Sequence, residues 1–328
     1  MARLASLLVV SIASATLLPV AAATAQRASQ SAGALIVASD EPGDRLVLLS
    51  AETGQTAGTI PVGGRPRGMA LSPDGKRIYV ALGKDDAVGV VDLASRHVVR
   101  RLGVGKDPEQ VAVSPDGNTV FVSNEEIAAA TAVDVASRRR RFTSPVGREP
   151  EGVAVSPDGR KLYVTGESDS SVSVLDAATG RRLTSLAVGA RPRFVVFTRD
   201  GARAYVSAEN GGVVSEVDAR RDSVIATIVV GDRTTKPTGM ALSPDEKTLY
   251  LANGRSNEVA IIDVVTRATT ATIPVGERPW GVALSQDGRT LYTANGRSGS
   301  ISVIDVGTRR VTSTLTVGGR PYTVLLVP

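Results

Sequence analysis

Apolar and polar positions alternate in short runs along most of this chain, and the runs come in groups of four. The stretch Arg278–Gly318, RPWGVALSQDGRTLYTANGRSGSISVIDVGTRRVTSTLTVG, shows the unit. Four β-branched-rich runs are separated by Gln-Asp-Gly, Asn-Gly-Arg-Ser-Gly and Gly-Thr-Arg. Alternating runs bounded by turn residues read as strands, so the unit is a four-stranded antiparallel meander. A lone meander of this size cannot bury both of its faces and needs copies of itself.

The copies are present and in phase. The turn Ser-Pro-Asp-Gly, or a close variant, begins at Ser72, Ser114, Ser156, Thr198, Ser243 and Ser285, with spacings of 42, 42, 42, 45 and 42 residues. Val-Gly-x-x-Pro begins at Val62, Val104, Val146, Val188, Val230, Val275 and Val317, the fifth copy being stretched to reach Pro237. A third marker, IYVAL at Ile78 through LYTAN at Leu291, lies on the second run of each unit. Four strands at this period predict an all-β, seven-bladed β-propeller. The last segment, Arg320–Pro328, supplies only a first strand, whereas Ala34–Gly63 supplies a second, third and fourth. Joining them completes the seventh blade and removes exposed sheet edges. On the first strands Met69, Val111, Val153, Val195, Met240, Val282 and Val324 share one face. Their neighbours, Ala70 through Leu325, share the other, so large and small faces of adjacent blades should nest. Asp92, Asp134, Asp176, Asp218, Asp263 and Asp305 end the third strands and are expected to cap their turns. Glu246 stands where other copies have the turn glycine, at a cost on the order of 1 kcal/mol.

Residues 1–25 carry Arg3, an apolar run and the cleavage pattern Ala23-Thr24-Ala25 of a secretory signal peptide. Residues 26–33 read as a short linker and 34–328 as one propeller domain. An exported, periplasmic monomer without a further transmembrane segment is the expectation, with secretion or a cell-surface location as alternatives. The absence of Cys excludes disulfides, thiolate metal sites and haem attachment. The net charge of +5 is concentrated in third-to-fourth strand turns: Arg138–Arg141, Arg181-Arg182, Arg220-Arg221 and Arg309-Arg310. These arginines are read as solvating their turns, the other reading being a basic face for anionic lipid or polysaccharide. Export and an aromatic content of 3% argue against nucleic acid as a partner.

The YVTN-like second strands and Val-Gly-x-x-Pro turns resemble the YVTN family of β-propeller proteins, over essentially the whole mature chain. The blade starts DPEQ at Asp107, EPEG at Glu149 and RPRF at Arg191, with AYVSAENGG from Ala204, resemble a narrower group. Its members are exported propellers associated with pyrroloquinoline quinone (PQQ)-dependent alcohol catabolism. That resemblance implies a role beside PQQ-dependent oxidation of alcohols.

Positions that vary between blades while sharing one location are where a site can live. The residue after each turn proline is Arg67, Glu109, Glu151, Arg193, Thr238, Trp280 and Tyr322. Arg67, Glu109, Glu151, Arg193, Trp280 and Tyr322 are therefore the candidate binding residues at the channel mouth, for a protein partner or a small molecule. The second-to-third strand loops add Glu125, Glu126, Glu167, Asp169, Glu209, Asn253 and Asn295 on the same side. The sole histidine, His97, falls in a turn on the opposite face, and there is no cysteine or Gly-x-Ser-x-Gly nucleophile. The resulting expectation is a non-catalytic binding or scaffold protein with no intrinsic cofactor; neither PQQ nor a divalent cation has a motif here. Two alternatives stand beside it. One is a metal-dependent, lactonase-like hydrolase in which Glu109, Glu151, Asn253 and Asn295 imitate a ligand set; the other is a cell-surface adhesion propeller.

Overall fold

The computed structural model describes residues 33–328, and the expected signal peptide and nearly all of the expected linker lie outside the described residues. Seven four-stranded antiparallel sheets stand around one axis. Blade one starts with the strand Pro66–Leu71, and blades two to six start with Pro108–Val113, Pro150–Val155, Pro192–Phe197, Pro237–Leu242 and Pro279–Leu284. In the seventh sheet Pro321–Val327 pairs with Leu35–Asp40, so the last strand of the chain closes the ring as the repeat phasing predicts.

Packing between blades follows the large and small faces. Met69 packs with Val37 and Leu48 of blade seven, while Ala70 faces Val111 and Val120 of blade two. The small residue has a second function. Ala70, Ala112, Ala154, Ala241 and Ala283 pair across to Tyr79, Phe121, Tyr163, Tyr250 and Tyr292. An alanine beside each ring leaves volume for the aromatic to lie against the next blade. Apolar clusters of this kind lie between neighbouring blades, and each large side chain buried in them stabilises by about 1.5–3 kcal/mol.

The turns behave as their residues require. Ser72 Oγ donates to Asp74 and accepts the Arg77 N–H, while Asp74 accepts the Lys76 N–H. The same pattern recurs at Ser156 and Ser285. The third-strand aspartates cap their turns: Asp92 accepts from Ser95, Asp134 from Ser137 and Asp305 from Thr308. Glu246 does occupy the left-handed conformation, with φ of 59°. Its carboxylate also accepts the Arg199 N–H from the turn of the preceding blade, which offsets part of the strain.

These two effects can be separated by substitution. Glu246→Ala keeps the strain and loses the bond, whereas Glu246→Gly loses both. The glycine variant is expected to be more stable than the alanine variant by about 1 kcal/mol, a difference of roughly 2 °C in Tm. Equal melting temperatures would show that this turn position carries no strain.

Candidate functional site

The site begins with an irregularity repeated at the start of the inner strands. In blade one Pro66 pairs with Leu82, but the next paired residue is Met69, opposite Val80, so two residues face one across the ladder. The same register shift follows Pro108, Pro150, Pro237 and Pro279. Such a bulge re-aims side chains. Here it frees the residue after each proline from the sheet faces and directs it to the axis. A glycine often follows. A Cβ at Gly152 would lie 2.4 Å from the Arg193 carbonyl, and one at Gly239 equally close to that of Trp280. Backbones this near each other leave the axial side chains one shared space.

That space is filled by a continuous polar network. Glu109 is fully buried and accepts from the Arg65 and Arg67 guanidinium groups. Glu151 accepts the Tyr322 hydroxyl and lies 3.1 Å from Arg193 Nη1. Arg193 also pairs with Glu167, and its Nε donates to Glu209 at 2.6 Å. Arg191, above it, donates through Nε to Glu167 at 2.7 Å. The aromatic pair completes the ring: Trp280 and Tyr322 have centroids 5.1 Å apart. Arg67 lies over Tyr322 at 4.8 Å, while Arg193 and Arg278 lie over Trp280 at 5.1 and 5.0 Å.

Above this layer a cavity of about 520 Å³ opens to solvent, lined by Glu41, Glu125, Glu167, Arg65, Arg67, Arg191, Arg278, Arg297 and Arg320 among others. Below it lies a smaller chamber of about 130 Å³, lined by Met69, Val111, Val153, Val282 and Val324. Glu151, Arg193, Trp280 and Tyr322 border both. These four side chains partition the channel, so the mouth has a floor.

Burial and charge sort the carboxyls into different protonation states. Burial pushes Glu109 up to about 9, helped by the charge of Glu151 and opposed by Arg67. Glu151 goes the other way: burial acts to raise it, but Arg193 and Arg67, with the Tyr322 hydroxyl, hold it below the usual carboxylate range. The two belong to one network and titrate together, Glu109 holding its proton more tightly than Glu151. Glu167, in the cavity wall, is pushed up to about 7 by burial, with Glu151 adding to the rise and Arg193 and Arg191 opposing it. Arg278 is lowered by burial, and Arg193, Arg297 and Arg191 repel its charge while Glu209 attracts it.

The structure brings all six candidate residues, Arg67, Glu109, Glu151, Arg193, Trp280 and Tyr322, into this one layer. It does not bring Asn253 and Asn295 there. Both are fully buried and donate within their own hairpins, to Glu258 and to Ser300 and Ser302. Their imitation of a ligand set therefore fails on position. Arg65, Arg191, Arg278 and Arg320 were missed. They share a recognisable place, immediately before the turn proline, and the first three have positive φ, which swings them over the mouth. Asp107, Glu109 and Glu125 present carboxylate oxygens within 4.8 Å of one another. That donor set is of the type that suits a hard divalent cation. However, the Arg65 guanidinium already bridges Asp107 and Glu109, with Arg67 on the far oxygen of Glu109. Cationic groups fill the place that an ion would take, so these residues do not fit a resident metal.

The chain matches the family model of the lactonase seven-bladed β-propeller over residues 181–324. The matched span holds Arg191, Arg193, Glu209, Arg278, Trp280 and Tyr322. No curated protein matches the sequence. Among solved structures it is similar to hydrazine synthase of Kuenenia stuttgartiensis, with 26% identity, 82% of this chain and 92% of that one covered, and a TM-score of 0.74. A protein of unknown function from Desulfotomaculum acetoxidans superposes with a TM-score of 0.78 at 15% identity, covering 89% of this chain and 98% of that one. A proposed 6-phosphogluconolactonase from Bacteroides fragilis has a TM-score of 0.78 at 19% identity, covering 92% and 99%. The two lower identities speak to the fold alone. The lactonase match overturns the expectation of a non-catalytic scaffold. That expectation rested on the lack of a histidine at the mouth, and it overlooked that burial gives a glutamate the same working range.

Arg193 is the cation on which the layer depends. Arg193→Met leaves Glu151, Glu167 and Glu209 facing one another without their shared partner. Chemical denaturation should show a loss of about 3–5 kcal/mol. A loss below about 1 kcal/mol would mean that these pairs are solvated like surface pairs.

Proposed function

We propose that the protein is a lactonase-like hydrolase whose site is the floored mouth of the propeller. The observation that carries this reading is Glu167, a carboxyl near pKa 7 in the wall of a solvent-open cavity, held between two guanidinium groups. The family-model match over residues 181–324 supports the same class of reaction. A general base works best when its pKa lies near the working pH, and a pair of fixed cations stabilises an oxyanion.

The reaction is written without a metal. The lactone carbonyl oxygen lies toward Arg191 and Arg193, which take up negative charge as the carbonyl carbon becomes tetrahedral. Glu167 accepts a proton from water as the water oxygen bonds to that carbon. Collapse breaks the ring C–O bond, and Glu167 returns the proton to the departing alkoxide. The product is a hydroxy acid, which ionises in solution. Trp280 and Tyr322 form the floor on which the ring rests. Arginines outnumber carboxylates around the cavity, and Arg297 and Arg320 have no carboxylate partner among the described residues. This excess favours a lactone that carries an anionic substituent.

The YVTN-like repeat and the resemblance to exported propellers beside PQQ-dependent alcohol catabolism belong to this proposal as its setting. Oxidation of a cyclic hemiacetal yields a lactone, so a ring-opening enzyme is chemically apt in the same exported compartment.

Lactone hydrolysis by the purified protein should be unchanged by a chelator. Its kcat/KM should rise with pH through about 7, because the base must lose its proton to act. Glu167→Gln should reduce kcat about 100-fold or more and remove that rise. No turnover of neutral or anionic lactones would sink the proposal, and activity that disappears with chelator and returns with calcium would replace it with metal chemistry.

A further inference from the structure

The face opposite the mouth carries charge that the proposed reaction does not use. It is built from the first-to-second and third-to-fourth strand turns. In blades two and three, which are neighbours in the ring, Arg138, Arg139, Arg140, Arg160 and Arg181 are exposed there, and none has a carboxylate partner among the described residues; Arg182 instead reaches along the outer strand to the Pro145 carbonyl. The nearby aspartates do not neutralise them through direct pairs. Asp134, Asp158 and Asp176 are committed to the N–H groups of their own turns. Blade four extends the patch with Arg220 and Arg221, whose pairs with Asp200 and Asp218 leave the arginine side chains 72% and 80% exposed.

Apolar side chains accompany these arginines. Leu183, directly after Arg181-Arg182, is 38% exposed, and Val224 and Ile225, shortly after Arg220-Arg221, are 37% and 41% exposed. All three lie at the start of a fourth strand, the outermost of its blade, and so on the rim of this face. Val99, Val265 and Val311 are exposed at matching places of blades one, five and six, so apolar groups recur around this rim, and in blades three and four they stand beside exposed arginines, a pairing that solvation of the turns does not account for. A polyanionic polysaccharide would likewise use the charges and leave Leu183 and Ile225 in water. An anionic bilayer engages both, with phosphate headgroups meeting guanidinium groups and the apolar side chains reaching the acyl boundary. We propose that the face formed by blades two to four docks the protein on anionic phospholipid, with the mouth turned toward solution.

The test is co-sedimentation of the full chain with vesicles of phosphatidylglycerol in phosphatidylcholine. The comparison is with a variant carrying R138Q, R139Q, R160Q and R181Q, and with a second carrying L183S and I225S. The N-terminal segment is common to all three, so differences report on this face. The arginine variant should partition about two to three orders of magnitude more weakly, and raised salt should abolish most of the wild-type advantage. The apolar variant should bind several-fold more weakly at every salt concentration. These substitutions lie on exposed turns and on exposed positions of outer strands, away from the mouth, so lactone hydrolysis in solution serves as an independent control on the fold and on the catalytic reading. Equal partitioning of wild type and arginine variant would overturn the proposal. So would displacement from the vesicles by a soluble anionic polysaccharide together with an unchanged L183S and I225S variant.

Discussion

The close approach of the inner strands at the axis is the constraint on which the rest of this structure depends. Seven sheets converge until a single added carbon at Gly152 would collide with the backbone of the next blade. At that radius there is no room for seven independent side chains, each with its own water. The residues after the turn prolines must share one desolvated layer. A desolvated charge is tolerated only with partners, which is why Glu109, Glu151, Glu167 and Glu209 each touch at least one guanidinium group. The floor of the mouth is thus a consequence of packing before it is a device for chemistry.

The same crowding makes the layer chemically uneven. Carboxyls of one residue type, in the same or adjacent blades, are driven apart by differences in burial and in the arginines they meet. Glu151 is held ionised, whereas Glu109 and Glu167 are raised. An open, charged cavity on one side and a smaller chamber with a more apolar lining on the other make the two faces of the layer unlike. Acid–base capacity at neutral pH therefore arises without histidine. The one histidine of the sequence, His97, is exposed at the opposite end.

Much of this was legible from residues alone. The three in-phase markers specify seven meanders and their closure, and the alternation of Met69 with Ala70 specifies how blades nest. The position after each proline is identifiable as variable, which is enough to nominate Arg67, Glu109, Glu151, Arg193, Trp280 and Tyr322. The arginines before the prolines were overlooked because a turn residue reads as solvated; in Arg65, Arg191 and Arg278 a positive φ bends the chain over the mouth, which Arg320 also lines. Asn253 and Asn295 were misplaced for the converse reason. A polar residue at a loop edge reads as exposed, but here the strand end turns it into its own hairpin.

By itself the sequence determined the number of blades, the strand order, the turn chemistry and the list of residues at the axis. All of these follow from local periodicity, and each repeat carries the information for its own meander. Tertiary structure decided which charges meet, which of them lose water and which keep a proton. Those outcomes depend on distances between side chains on different strands and different blades, from Arg193 and Glu209, 16 residues apart in the chain, to Tyr322 and Glu151, 171 apart. No local pattern encodes such distances, because they are fixed only when the ring closes.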